Sequence, residues 1–161
     1  MLRYLACLCL PILLAGPLAA GEYNPVLEIG DAAPAWKDLP GVDGKQHSLA
    51  QLADREVVVV FFTCNSCPYA VDYEDRILAL DNKYDDAKVA LVAINVNKVP
   101  EDLPAEMAAK AKAKGFKFAY LFDESQQIAK DYGAGYTPEF FVLNKDRKVV
   151  YMGALDDNVD P

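Results

Sequence analysis

Basic residues are in short supply: 16 Lys and Arg stand against 24 Asp and Glu, for a formal net charge of −8. That balance argues against a nucleic-acid or anionic-membrane partner, since neither phosphate backbones nor anionic lipid would attract the chain. The excess acid reads as solubility. Histidine is nearly absent, and the only one, His47, sits beside a predicted turn, where a surface residue is commoner than a ligand. The N-terminal apolar run, Leu5 to Leu14, is interrupted by Pro11 and falls short of the ~20 residues of a spanning helix, although an uncleaved anchor stays open. Internal repeats and low-complexity linkers are also missing. What is present, 161 residues at 53% hydrophobic and 25% charged, is enough for one soluble globular domain with a sizeable core.

Cysteine is scarce, and its placement sharpens the reading. Arg3 supplies a small positive n-region, Leu5 to Leu14 an apolar h-region, and Gly16-Pro-Leu-Ala-Ala20 a small-residue exit. Residues 1–20 therefore read as a secretory signal peptide cleaved after Ala20 or Gly21, and residues 21–161 as the domain. No cysteine follows the small residues near that point, so there is no lipoprotein signal. Cleavage removes Cys7 and Cys9. It leaves Cys64 and Cys67 as a lone pair in an exported, periplasmic or otherwise extracytoplasmic setting that permits disulfides.

The chain is organised around Val57-Val-Val-Val-Phe-Phe-Thr-Cys-Asn-Ser-Cys-Pro-Tyr-Ala-Val71. Its β-branched start predicts a strand buried on both faces. Cys64 and Cys67 follow at C-x-x-C spacing, Pro68 suits a first helical turn, and Tyr73, Ile77, Leu80 and Tyr84 share one face of the helix that follows. Two cysteines at this spacing can close a small disulfide ring, while the helix N-terminus offers N–H groups to a thiolate. Cys64 is expected at the exposed edge of the turn as nucleophile, with Cys67 in the first helical turn as resolving thiol. A structural disulfide or half of a metal site are the bland alternatives. A ring this small constrains little chain entropy, which makes the structural bond the weakest of them.

Along the rest of the chain, Glu22 to Glu28 reads as a loose lead-in, and Trp36 and Leu39 as cover for a sheet edge. Gly41 to Gln46 reads as a hairpin turn, and Ser48 as the cap of a short helix, Leu49 to Asp54. Val89 to Val96 is a second buried strand, parallel to the first across a βαβ crossover. Pro104 to Lys114 is a helix stopped by Gly115, with Lys110, Lys112 and Lys114 as a solvated last turn. Phe116 to Phe122 is a third strand, Asp123 and Gln126 a capping box for a helix ending at Tyr132, and Gly135 to Leu143 with Lys148 to Met152 an antiparallel hairpin.

On Gly30-Asp-Ala-Ala-Pro34, the strand running into Cys64-Asn-Ser-Cys67-Pro68, and Thr137-Pro138 just before a strand, the chain resembles the thioredoxin-like superfamily. More narrowly it resembles the redoxin group related to alkyl hydroperoxide reductases and thiol-specific antioxidants (AhpC/TSA), as a peroxiredoxin-like branch with a C-x-x-C motif. The match covers roughly residues 29 to 154. It implies an α/β, thioredoxin-like fold, a central mixed sheet flanked by helices, here with an N-terminal β-hairpin extension. It also implies an exported thiol-disulfide oxidoreductase acting on protein thiols and disulfides through Cys64 and Cys67. No cofactor beyond the redox-active disulfide and no membrane insertion after signal cleavage are expected. By the same resemblance Pro138 is cis and faces the cysteines, and Thr137 and Pro138 align an extended partner chain.

The departures keep two alternatives open. Thr63 and Ser66 stand where thioredoxins usually carry Trp and Pro, and Val57 to Phe62 lacks their buried acid. Asp72, Glu74 and Glu139 are nearby acids, but acids in a first helical turn ordinarily serve the dipole, and they are not read as catalytic. With Cys67 placed as a peroxidatic cysteine, Val60 and Cys64 fall where peroxiredoxins carry Pro and Thr, so any peroxide reduction is expected to be weak. A Cu(I)-binding role as a metallochaperone through Cys64 and Cys67 is the other alternative, since soft thiolates bind Cu(I). The fold implied ends in a helix over the sheet, whereas this sequence stops at Pro161. The expectation is a truncated chain with one sheet face partly exposed.

Overall fold

The computed structural model describes residues 24–84 and 88–157, so the segment read as a signal peptide, with Cys7 and Cys9, lies outside the described residues. Near the start, β1 (Leu39–Pro40) and β2 (Gln46–His47) pair antiparallel in the predicted hairpin. Gly41 and Val42 tie that hairpin to the edge of the main sheet by bonding at Leu121 and Tyr120. Trp36 does not cover this edge: it is buried in the core against one sheet face. The helix after Ser48 is a single 3-10 turn, Leu49–Leu52, shorter than expected, held by a reciprocal Ser48–Gln51 capping box.

The main sheet has five strands: β3 (Val57–Phe62), β4 (Val89–Asn95), β5 (Ala119–Phe122), β6 (Glu139–Leu143) and β7 (Val149–Gly153), in the order β5-β4-β3-β6-β7. β3 lies at the centre, parallel to β4 and antiparallel to β6, and every residue from Val58 to Phe62 is buried. Val58, Val59 and Val60 thus occupy the doubly covered position that the run predicts, and Val57 at its start is half-buried. Alternation sorts the two faces. Val58, Val60 and Phe62 join Ile94, Phe141 and Tyr132 on one side, and Val59 and Phe61 join Phe140, Ile77 and Met107 on the other. Aromatic pairs lock both: Phe61 stacks on Phe140 at 5.2 Å, and Phe62 meets Phe141 edge-on at 5.8 Å. Each such side chain stabilises the fold by about 1.5–3 kcal/mol through burial alone.

The helices are α1 (Pro68–Asp72), α2 (Glu74–Lys83), α3 (Pro104–Lys114) and α4 (Gln127–Tyr132). The helix expected after the cysteines is thus interrupted for one residue at Tyr73, whose N–H still donates to Tyr69 at 3.3 Å while Ile77 donates back to Tyr73 at 2.9 Å. Its apolar stripe also runs out: Tyr73 and Ile77 are buried, but Tyr84 is exposed. α3 has the predicted bounds, and Gly115 closes it in the left-handed conformation at φ 71°.

Before α4 the expected Asp123–Gln126 box does not form. Asp123 instead accepts Ser125 and the Ile128 amide, and Gln126 reaches Val96. The third strand is also shorter than expected, because Phe116 and Phe118 stack on each other at 4.7 Å ahead of the ladder. At the far edge, Val150 and Tyr151 of β7 are exposed, and residues 158–161 lie outside the described ones. Among the described residues no helix is long and apolar enough to cross a membrane.

Candidate redox site

The parallel pairing of β3 with β4 and the antiparallel pairing with β6 bring three chain segments to one end of the sheet. At the end of β3, Thr63 donates to Ile94 at 3.0 Å, and the chain then turns through Cys64, Asn65 and Ser66. Cys67 caps α1 and Pro68 opens it, as the Pro predicts. Because Phe62 faces Glu139, the residues before β6 lie opposite the cysteines. The Thr137–Pro138 peptide is cis. Thr137 touches both sulfurs: its Oγ1 is 3.9 Å from Cys64 Sγ, and its carbonyl accepts Cys67 Sγ–H at 3.4 Å. The four residues expected at the site therefore meet, with Thr137 rather than the buried Pro138 making the sulfur contacts.

One expectation is reversed. Cys64 is only 4% exposed and Cys67 is half-buried, so the N-terminal cysteine is not the exposed edge of the turn. Packing explains this: the strand delivers Cys64 to a small cavity that the core residues Phe61 and Ile77 also line, while Cys67 sits at the surface end of α1. Their polar surroundings differ as well. Cys64 faces two hydroxyls, Thr137 Oγ1 and Ser66 Oγ, each at 3.9 Å, whereas Cys67 faces a carbonyl acceptor. A hydroxyl can donate to a thiolate and a carbonyl cannot.

The sequence reading missed Asp102, on the turn after β4. It is fully buried, and its carboxylate accepts the Asn65 and Ser66 amides at 2.6 and 2.8 Å, the Ser66 hydroxyl at 2.7 Å and Asn97 Nδ2 at 3.0 Å. Buried Asn95 donates to the Asp102 carbonyl at 2.6 Å and holds the turn in place. The available signal was topological: in a parallel pair, residues just past the end of β4 converge on those just past β3.

A second acid, Glu74, is buried at the start of α2 and is bound by Lys110 and, at 2.9 Å, by Lys114. The solvated-last-turn reading therefore fails for Lys110, whose side chain is largely covered, while Lys114 stays exposed in the last turn and still reaches the carboxylate. Lys110 also donates to the Asn65 carbonyl at 3.2 Å. Between these groups and Cys64 lies a cavity of about 20 Å³, room for one water, lined by Thr63, Asn65, Glu74, Lys110 and Tyr120. Burial, with the charges of Asp102, Cys64 and Glu74 adding to it, pushes the Tyr120 phenol far up, which keeps it a donor to Asn65 Oδ1 at 3.0 Å. Burial likewise raises the Glu139 carboxyl, against the pull of the Gly135 and Tyr136 amides at 2.8 and 3.4 Å.

Among the described residues no group of three or more His, Cys, Asp or Glu side chains gathers as a metal site. His47 lies on β2, bonded to Asp43 at 3.0 Å.

The family model described as Redoxin matches residues 28–160. The chain belongs to the Redoxin family. This redoxin is 37% identical to an uncharacterized conserved protein from Geobacillus kaustophilus, whose crystal structure matches with a TM-score of 0.79 over 83% of this chain and 75% of that one. It is 28% identical to a candidate peroxiredoxin of Mycobacterium tuberculosis, over 75% of this chain and 81% of the relative. It is also 27% identical to the thiol-disulfide oxidoreductase ResA of Bacillus thuringiensis, over 77% and 68%. The fold is thioredoxin-like: the thioredoxin domain of a thiol-disulfide oxidoreductase from Bacteroides vulgatus matches with a TM-score of 0.69 at 16% identity, over 81% of this chain and 91% of that one.

Proposed function

We propose that this redoxin is an exported thiol-disulfide oxidoreductase that exchanges disulfides with protein partners through Cys64 and Cys67. The observation that carries the reading is the contact of Thr137 with both sulfurs, 3.9 Å to Cys64 and 3.4 Å to Cys67, from a segment preceding a strand on the neighbouring element. A partner chain laid along Thr137 and Pro138 would present its disulfide to the same point. Cys64, which faces the Thr137 hydroxyl, attacks. Cys67, whose thiol is bonded to a carbonyl, resolves. Names of relatives such as ResA support thiol exchange, and the character of residues 1–20 supports export.

The test uses single-cysteine variants of the protein and a peptide containing one disulfide. Cys67→Ser is expected to accumulate a mixed disulfide with the peptide, seen as a mass adduct that dithiothreitol removes, and Cys64→Ser is expected to form none. Accumulation through Cys67 in Cys64→Ser alone would overturn the assignment of roles, and its half-buried position makes that outcome directly measurable.

A further inference from the structure

Asp102 and Glu74 are both buried acids near Cys64, but they are partnered differently. Glu74 is paired with two cations, Lys110 and Lys114, which leaves that group one net positive charge. Asp102 has four bonding partners, two amides, a hydroxyl and a carboxamide, and all of them are neutral. Its charge lies one hydroxyl from the sulfur, since Ser66 Oγ is 3.9 Å from Cys64 Sγ and hands its proton to Asp102 at 2.7 Å. N–H groups at such a turn are the donors that stabilise a thiolate. Here two of them, and the hydroxyl, are turned to a carboxylate instead.

We propose that Asp102 is a positioning residue that sets the redox poise of the Cys64–Cys67 pair, holding it toward the disulfide so that the protein donates electrons to partner disulfides. The inference rests on the oxidoreductase reading and adds its direction. Only the reduced protein contains a thiolate, so a negative charge beside Cys64, and donors withdrawn from it, raise the free energy of the reduced form and not of the disulfide. That is the opposite of a strong oxidant, whose reduced form is stabilised. Of the other groups around Cys64, Glu74 from α2 with Lys110 and Lys114 from α3 carries one net positive charge, Tyr120 from β5 stays a neutral phenol, and Glu139 from β6 is an acid. These groups are the same in wild type and in Asp102→Asn, so the variant reads the Asp102 charge alone.

Cys64 thiolate attacks one sulfur of a partner disulfide, an intermolecular S–S bond forms, and the partner's other sulfur leaves and takes a proton. Cys67 then loses its proton and attacks Cys64, closing the Cys64–Cys67 disulfide and releasing the second partner thiolate. Two electrons pass to the partner. A dithiol protein or small-molecule thiol must restore the reduced pair.

The experiment is the equilibrium of wild type, Asp102→Asn and Ser66→Ala in graded glutathione and dithiothreitol buffers from pH 6 to 9, read by mass after thiol alkylation. Asparagine keeps an acceptor for the two amides and loses the charge. Asp102→Asn is expected to shift the equilibrium about tenfold toward the dithiol at alkaline pH, about 30 mV by the two-electron relation, with the shift shrinking toward pH 6. Ser66→Ala keeps the charge and is expected to shift it less. A merely structural role would lower thermal stability and leave no pH-dependent shift, and that result overturns the proposal. So does a Ser66→Ala shift as large as that of Asp102→Asn. Should Asp102→Asn not fold, the wild type decides: its disulfide is expected to resist glutathione and yield to dithiothreitol, and a pair more oxidising than glutathione would refute the inference. Insulin reduction separates the two levels: if no folded variant reduces insulin, the oxidoreductase reading itself fails.

Discussion

The body of the sheet and its cysteine-bearing end are both buried, but they are built from different interactions. Along β3, β4 and β6 the interior is hydrocarbon, held by alternating valines and stacked aromatic rings. At the end of the same strands the buried groups are Asn95, Asp102, Glu74 and Glu139, each held by specific hydrogen bonds or ions. Apolar burial is non-directional and tolerates approximate geometry, while buried polar groups stabilise only when each partner is in place. The body therefore supplies stability, and the end supplies position and electrostatics for two sulfurs.

The largest expected effect comes from cutting into the body. Phe141 is fully buried against Phe62 and Tyr132. Phe141→Ala should cost about 3–5 kcal/mol in urea unfolding. Thiol exchange, measured where the variant is still folded, should stay within twofold of wild type. A large loss of exchange in the folded variant would mean that the two regions are not separable.

Glu74→Ala comes next, because it leaves partly buried Lys110 without its carboxylate. Breaking a buried pair from one side costs up to about 3–5 kcal/mol, and the partial exposure of Lys110 brings the expectation to about 2 kcal/mol. Replacing Lys114 should cost far less, since that lysine is more exposed and Lys110 remains. Equal losses for the two variants in chemical denaturation would show that Glu74 is not a desolvated ion.

Thr137→Val sharpens the contrast from the other side. The swap preserves shape and removes the hydroxyl 3.9 Å from Cys64. Insulin reduction should slow severalfold while stability changes by less than about 1 kcal/mol, the usual scale of one modest hydrogen bond. An unchanged rate would mean that the Thr137 hydroxyl takes no part, leaving only its backbone carbonyl at Cys67.

The smallest effect is the pH dependence carried by Glu139. Its carboxyl is raised in the folded protein by burial. A raised acid contributes stability that is complete below its unfolded value and is lost as pH rises through the folded one. Glu139→Gln should therefore gain on wild type between pH 4 and pH 7 in urea melts. A gain in the acid direction would mean that the Gly135 and Tyr136 amides, and not burial, dominate its environment.

The same contrast decides what could be read in the chain beforehand. Val57–Phe62 and Val89–Asn95 announce themselves by β-branched runs, and α3 by its composition and Gly115, because each signal is local and repeats along the chain. The C-x-x-C and Thr137-Pro138 were legible as motifs, and the geometry brings them together. Asp102 was not, since its bonds reach back to Asn65 and Ser66 without any period, and nothing in Val99-Pro-Glu-Asp-Leu-Pro104 distinguishes it from a solvated acid. The covering of Lys110, and the pairing of both Lys110 and Lys114 with Glu74, were hidden for the same reason: Glu74 belongs to another helix. Burial of Cys64 escaped because the motif fixes spacing, whereas exposure depends on what packs over the turn.

Thiol exchange by this redoxin requires that Cys64 and Cys67 form one exchanging redox pair. The most direct measurement equilibrates the metal-free protein lacking residues 1–20 in graded glutathione and dithiothreitol buffers and counts free thiols by mass after alkylation. A single reversible two-electron transition is expected between molecules with two alkyl groups and molecules with none. Molecules that carry two alkyl groups at every buffer ratio, or that stop at a one-thiol glutathione adduct, would contradict it and turn attention to Cu(I) binding and peroxide consumption.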